Sequence, residues 1–121
     1  MRHEPGGKNS EGYRNIGMVI GIRPEKIAEY KRLHADAWPG VLEQIHESHI
    51  RNFVIYLREP ENLLFGHFEY HGDDLEADMA KMAEDETTRE WWTHTDPCQI
   101  PLGSAKAGDH WTYMEEVFFA P

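Results

Sequence analysis

The order of hydrophobic periodicities along the chain is the feature that most constrains its fold. Apolar residues alternate over 16–22, which is the two-residue period of a strand, and a helical period follows over 25–47. Two further strand patterns, 51–57 and 63–70, flank a short polar turn that contains Pro60, and this spacing predicts an antiparallel hairpin. The first half of the chain therefore reads as strand, helix, strand, strand.

The second half of the chain adds further helical segments and one more strand. Helical patterns occupy 74–83 and 86–95, the segment 96–109 is rich in proline and glycine and predicts a loop, and a last strand is expected over 111–119. The order β-α-β-β-α-β is that of an α+β, ferredoxin-like fold, in which an antiparallel sheet carries its helices on one face. Because the other face would stay uncovered and apolar, we expect two subunits to pack sheet to sheet as a homodimer, a dimeric α/β barrel.

The long helical segment carries an inward stripe and one interruption. Pro39 lacks a backbone N–H and clashes with the preceding helical turn, so we expect a break near 36–39. The residues of the stripe fall within about 80° of one another around the helix axis. They are Ile27, Tyr30, His34, Trp38, Val41 and Ile45.

Composition excludes several classes of function. The chain has 121 residues and a formal charge of −10, which argues against partners such as nucleic acids and anionic membranes. It has no apolar run near the roughly 20 residues of a membrane span, no apolar signal segment at its start and one cysteine. We expect a cytoplasmic protein with a flexible tail over 1–15 and one domain over 16–121.

Two groups of side chains could carry chemistry. Tyr30 and His34 are one helical turn apart on the inward stripe, so His34 is either a buried structural histidine or a general acid or base in a cavity. Trp91 and Trp92 offer flat apolar faces on which a sugar ring could stack, although core packing is the more common explanation of such a pair. The other histidines and Cys98 lack the spacing of a zinc site, and we expect no metal.

Six short motifs of the chain occur together, in the same order, in one known family. On them the chain resembles the L-rhamnose mutarotase family from about residue 16 to the end. The motifs are Tyr30-x-x-x-His34, Trp38-Pro39, Ile55-Tyr56-Leu57, Asn62-Leu63-Leu64-Phe65, Trp91-Trp92 and Glu116-Val117-Phe118.

The resemblance implies an isomerase that interconverts the α and β anomers of a 6-deoxy hexose, most readily L-rhamnose, without a cofactor. It implies that His34 is the catalytic proton donor and that Tyr30, Phe53, Trp91 and Trp92 contact the monosaccharide. Two differences concern the identity of the sugar. Phe53 stands where the family has a tyrosine, and 99–106 replaces a loop rich in Asn and Asp. A lost hydroxyl changes which sugar hydroxyls can be recognised.

Mutarotation requires a base for the anomeric hydroxyl and an acid for the ring oxygen, and His34 could serve as one of them. The second group is open at this stage, with Glu69, Glu115 and Glu116 as candidates. Three other functions remain open. They are a mutarotase for L-fucose or another sugar, a cofactor-free monooxygenase-like protein of the same fold, and a sugar-binding module without catalysis.

Overall fold

The computed structural model describes residues 7–121, which form one mixed helix-and-sheet layer pair. The helices and strands follow the predicted order, with two short 3-10 turns at Pro24–Lys26 and Asp96–Cys98. The main elements are β1 (Arg14–Ile22), α1 (Ile27–Ala35), α2 (Pro39–Glu47), β2 (Ile50–Arg58), β3 (Leu63–Tyr70), α3 (Leu75–Glu84), α4 (Glu86–Thr95), β4 (Gln99–Ile100) and β5 (Thr112–Met114).

The sheet is antiparallel, and β1 lies at its centre. Its strand order is β2-β3-β1-β4, and β5 pairs with the same edge of β1 as β4 does. β4 joins the end of β1 at Gly21 and Ile22, whereas β5 joins its middle at 17–19. This order and the placement of the helices on one face confirm the predicted α+β, ferredoxin-like fold.

Alternate residues of β1 face the helices and belong to the buried core. This core consists of two clusters, one near each end of the strand. The Tyr70 cluster lies at the start of the strand, and the Tyr30 cluster lies at its end. The Tyr70 cluster comprises Ile16, Met18, Ile50, Phe68 and Tyr70. The Tyr30 cluster comprises Ile20, Ile22, Tyr30, Leu64 and Cys98. Trp111 packs against both clusters, so the core is continuous between helices and sheet.

The predicted interruption of the long helical segment is confirmed. α1 ends at Ala35, and α2 begins at Pro39, where a missing N–H costs nothing because the first turn of a helix has no partner for it. Close packing occurs against one glycine of β1, Gly21. A Cβ on Gly21 would lie 2.9 Å from the carbonyl oxygen of Ile100, so only glycine lets β4 approach the strand end so closely.

Three boundaries differ from the sequence expectations. β1 begins at Arg14 rather than Ile16, and Asn9 is buried in a turn before it, whereas residues 1–6 of the expected tail lie outside the described part. The expected loop 96–109 contains β4, a strand too short to show a period. The expected strand 111–119 is ordered as a strand over Thr112–Met114 only, because beyond Met114 it leaves the β1 ladder and Glu116 accepts from the Asn15 side chain instead.

No helix in the range 7–121 is both long enough and apolar enough to cross a bilayer.

Candidate active site

A cavity of about 1220 Å³ lies between the helices and the inner face of the sheet. The five residues predicted to act on a substrate all line it, although they come from three different elements. They are Tyr30, His34, Phe53, Trp91 and Trp92. The wall is mainly apolar, and its polar groups come largely from α1 and from the segment that follows α4. Such a cavity, apolar with a few convergent polar groups, is typical of a small-molecule site.

The hydrogen bond of His34 determines which of its ring nitrogens carries the hydrogen. Nδ1 lies 2.9 Å from the carbonyl oxygen of Tyr30, one helical turn earlier. A carbonyl oxygen can only accept, so Nδ1 carries the hydrogen and donates it. In the neutral ring, Nε2 is then left with a free lone pair. His34 is therefore oriented to take a proton at Nε2 and to return it.

Tyr30 lies beside His34 with its hydroxyl buried. The two rings are 4.2 Å apart between centroids, and Tyr30 is 6% exposed. Its hydroxyl oxygen accepts a hydrogen bond of 3.1 Å from the Gln99 side-chain amide. Burial raises the pKa of Tyr30 above its ordinary value of 10, against the smaller opposing effect of the Gln99 amide. The hydroxyl therefore stays protonated at neutral pH and acts as a donor.

An aromatic wall holds His34 in place. Trp91 is 5% exposed, and its ring meets the His34 ring edge to face at 5.3 Å. Trp38 packs on Trp91 at 5.2 Å in the same geometry, so the three rings support one another. Trp92 is less buried and also lines the cavity. Both members of the tryptophan pair thus face the cavity, whereas adjacent helical positions would allow one to turn away.

Phe53 reaches the cavity because β2 contains a β-bulge. Arg51 pairs with Glu69 and Val54 with His67, so Asn52 and Phe53 together oppose the single residue Phe68. Asn52 has a φ of 52°, a left-handed conformation that asparagine tolerates better than most residues. The ring of Phe53 meets that of Phe68 at 5.4 Å, so this part of the wall is apolar.

Three polar residues of the cavity were not among the predicted site residues. His110 donates from Nε2 to Oε1 of Gln99 at 2.6 Å, and the same nitrogen lies 3.5 Å from an Asp96 carboxylate oxygen. Desolvation raises the pKa of that Asp96 carboxyl. These residues follow α4 in a segment with no periodicity, so only their polar identity in an otherwise apolar neighbourhood could have drawn attention to them.

The glutamates considered as the second acid or base lie elsewhere. Glu69 pairs with Asn15 and Arg51 on the sheet face opposite the helices. Glu115 and Glu116 line a separate cavity of about 250 Å³ near Arg14. The strand alternation placed these residues on a sheet but gave no way to choose its face. Within residues 7–121, no three side chains of His, Cys, Asp or Glu converge as a set that could hold a metal ion.

Comparisons with known proteins identify the family of the chain. A sequence model of the L-rhamnose mutarotase family matches residues 15–120. An L-rhamnose mutarotase of Pectobacterium atrosepticum is 30% identical over 93 residues, which cover 72% of this chain and 86% of the relative. One of Mannheimia succiniciproducens is 33% identical over 76 residues, covering 63% of this chain and 70% of the relative.

Solved structures share the fold. The crystal structure of an L-rhamnose mutarotase from Formosa agariphila superposes with a TM-score of 0.70 at 18% identity, covering 89% of this chain and 99% of that one. Tetracenomycin F2 cyclase of Streptomyces glaucescens, a polyketide cyclase, superposes with a TM-score of 0.63 at 16% identity, covering 88% and 98%. At these identities the structural matches establish the fold alone, whereas the family model covers nearly the whole described domain. The chain belongs to the L-rhamnose mutarotase family, a family of isomerases.

Proposed function

We propose that this protein is a sugar mutarotase that interconverts the α and β anomers of a 6-deoxy hexose, most readily L-rhamnose. The observation that carries the proposal is the His34 ring, which lines the cavity with Nδ1 bonded to the Tyr30 carbonyl and with no hydrogen bond to Nε2 from the residues in 7–121. Membership of the L-rhamnose mutarotase family supports the choice of sugar and reaction. The reaction needs only proton transfers, which suit an imidazole near neutral pH.

The chemistry begins at the hemiacetal carbon. A base removes the proton of the anomeric hydroxyl while an acid protonates the ring oxygen, and the bond between that oxygen and C1 breaks. The open aldehyde rotates about its bond to C2, and the ring closes on the other face of the carbonyl. Both protons then return to the groups that exchanged them. His34 carries one of these transfers at Nε2, and the tryptophan wall holds the sugar face.

The test is to measure anomer exchange by saturation-transfer NMR on L-rhamnose, L-fucose and D-glucose. His34→Asn is the sharpest variant, because its side-chain amide can still donate to the Tyr30 carbonyl while nothing replaces Nε2. We expect kcat to fall about 100-fold or more, as general acid or base groups are worth that much. His46→Asn, at an exposed position of α2 outside the cavity, is the matched control and should exchange sugar at the wild-type rate.

Other results would point to other functions. Wild-type exchange in His34→Asn would remove His34 from the mechanism. Sugar binding by calorimetry with no faster exchange in the wild type would identify a binding module. Oxygen uptake with an aromatic quinol and no sugar exchange would identify a monooxygenase-like protein instead.

We also propose that the protein is a homodimer formed through the open sheet face. Tyr56 is 64% and Val54 40% exposed on the face that lies opposite the helices, and Phe118, beyond β5, is 80% exposed. Aromatic and aliphatic groups so exposed are typical of a surface that another subunit covers. Sedimentation at micromolar concentration should therefore give twice the chain mass of 14.1 kDa.

Tyr56→Glu should shift this equilibrium toward monomer, because a carboxylate would be desolvated at the interface. Ala80→Glu adds the same charge on the exposed side of α3 and should leave the dimer intact. A wild-type protein that sediments as a monomer would exclude this assembly.

A further inference from the structure

A run of three hydrogen-bonded side chains crosses the polar end of the cavity and ends beside His34. The Nε2 atom of His110 lies 2.6 Å from Oε1 of Gln99. The side-chain nitrogen of Gln99, in turn, lies 3.1 Å from the hydroxyl oxygen of Tyr30. We call this run, His110–Gln99–Tyr30, the donor line. Gln99 and Tyr30 are each 6% exposed, so the two central groups are almost fully shielded from solvent.

The neighbouring carboxylate determines the direction of the donor line. Oδ1 of Asp96 lies 3.5 Å from the same His110 nitrogen, and a carboxylate accepts hydrogen bonds. Nε2 of His110 therefore carries the hydrogen, and the Gln99 atom that faces it must be the amide oxygen. The amide nitrogen of Gln99 is then left to donate to Tyr30. Each member of the line thus donates to the next.

The Tyr30 hydroxyl, at the end of the line, has a proton to give away. Its oxygen accepts from Gln99, and within residues 7–121 no acceptor lies at hydrogen-bond distance from its own hydrogen. A buried donor without a partner costs about 1–3 kcal/mol, so such a group is a natural partner for a ligand atom. Tyr30 lines the cavity, where a ligand oxygen can take up this hydrogen bond.

We propose that Tyr30 is the second proton-transfer group of the site, and that His110, acting through Gln99, is the positioning residue that points the Tyr30 hydroxyl into the cavity. This inference rests on the proposed mutarotase function. In the ring-opening step it makes Nε2 of His34 the proton acceptor and the Tyr30 hydroxyl the proton donor. In the ring-closing step His34 becomes the proton donor that the family resemblance implies.

The transfers balance. His34 takes the proton of the anomeric hydroxyl at Nε2, and Tyr30 gives its hydroxyl proton to the ring oxygen as the bond from that oxygen to C1 breaks. Because burial disfavours an isolated Tyr30 phenolate, the two transfers occur together, and the phenolate forms only as a pair with the imidazolium while the Gln99 amide still donates to its oxygen. After C1 rotates, the sugar hydroxyl returns its proton to Tyr30 and His34 protonates the carbonyl oxygen as the ring closes. The two rings are neighbours, with centroids 4.2 Å apart, so the opposite charges form in adjacent groups, and opposite charges attract.

The first test reverses the direction of the hydrogen bond between residue 99 and Tyr30 without changing the size of the side chain at position 99. In Gln99→Glu both side-chain oxygens are acceptors, so one receives from His110 and the other captures the Tyr30 proton. We expect kcat for anomer exchange to fall about 100-fold while KM changes less than about threefold. Gln44→Glu makes the same chemical change on α2, where the amide bonds Ser48, and should behave as wild type. A wild-type kcat in Gln99→Glu would overturn the proposal.

The second test separates positioning by His110 from mere packing. His110→Gln keeps an N–H at about the reach of Nε2 and should retain kcat within about threefold, whereas His110→Leu should lose about tenfold. A residue that only fills space would show equal losses in both variants, and that result would remove His110 from the line. His46→Leu, on the exposed face of α2, is the control for the loss of an imidazole.

The third test measures the tautomers of His110 and His34 in the wild-type protein, so it does not depend on the folding of a variant. Long-range proton–nitrogen NMR of the imidazoles should show the Nε2–H tautomer for His110 and the Nδ1–H tautomer for His34 at neutral pH. Sugar exchange together with an Nδ1–H tautomer at His110 would overturn the donor line and leave the mutarotase function standing. The expected tautomers together with no exchange of any sugar would overturn the mutarotase proposal, and the assignment of proton transfers with it.

Discussion

A buried tyrosine packs near each end of β1, Tyr70 of β3 at its start and Tyr30 of α1 at its end, and the two hydroxyls differ in their hydrogen bonds. At the start of the strand, Tyr70 donates to the Asp78 carboxylate and accepts from the Asp74 backbone N–H. At the end of the strand, Tyr30 accepts from Gln99, and its own hydrogen meets no acceptor within residues 7–121. A hydroxyl that is satisfied in both directions stabilises the fold, whereas one that is satisfied in a single direction is available to a ligand.

This difference predicts that removing the two hydroxyls will have opposite consequences. Tyr30→Phe should lower kcat for anomer exchange about 100-fold, because the donor to the ring oxygen is lost, while the protein stays folded. Tyr70→Phe should exchange sugar at close to the wild-type rate, since its hydroxyl is bonded within the Tyr70 cluster. Saturation-transfer NMR on both variants makes the comparison, and equal activity losses would show that the two tyrosines do not differ as described.

Stability should follow the reverse order. Tyr70→Phe leaves the Asp74 N–H without its acceptor and leaves Asp78 with His49 as its remaining partner, so it should lower the free energy of unfolding by about 1–3 kcal/mol. Tyr30→Phe leaves only the Gln99 amide without an acceptor and should cost about 1 kcal/mol. Urea unfolding of the two variants measures both values, and a larger loss in Tyr30→Phe would reverse our assignment of the structural role.

The smallest of these effects is the change in the free energy of unfolding at low pH. The Tyr70 hydroxyl, followed by His49, lowers the pKa of Asp78 below its ordinary value of 3.8, despite the opposing effect of burial. The ionised carboxylate therefore stabilises the fold fully above about pH 4, and this contribution is lost as the pH falls through the lowered pKa. The stability gap between wild type and Tyr70→Phe should narrow when urea unfolding is moved from pH 6 to pH 3. A stability gap that stays constant over that range would show that the Tyr70 hydroxyl does not stabilise the ionised Asp78 carboxylate.

Much of the fold was predictable because its long elements have clear periods. The alternation in β1 and β3 and the inward stripe of α1 and α2 place the core and bring Tyr30 and His34 into the cavity. The bulge at Asn52 was not predictable, because a one-residue insertion is invisible to a two-residue period. The family resemblance nevertheless supplied Phe53, and the structure explains how it reaches the cavity.

The donor line could not be predicted for a different reason. Gln99 belongs to a two-residue strand, and His110 follows Gly108 in an irregular segment, so neither position has a pattern that shows where its side chain points. Both contacts depend on tertiary packing. Gln99 and His110 are 11 positions apart, and Gln99 and Tyr30 are 69 positions apart. Sequence periodicity reports on local geometry, and this part of the site is made by distant segments.

The bond between His34 and the Tyr30 carbonyl lies within one turn of α1 and needs no other element to form. The donor line, by contrast, needs a tertiary contact between His110 and Gln99 of β4. Sequence changes in 101–109 can therefore alter the donor to Tyr30 without altering the tautomer of His34.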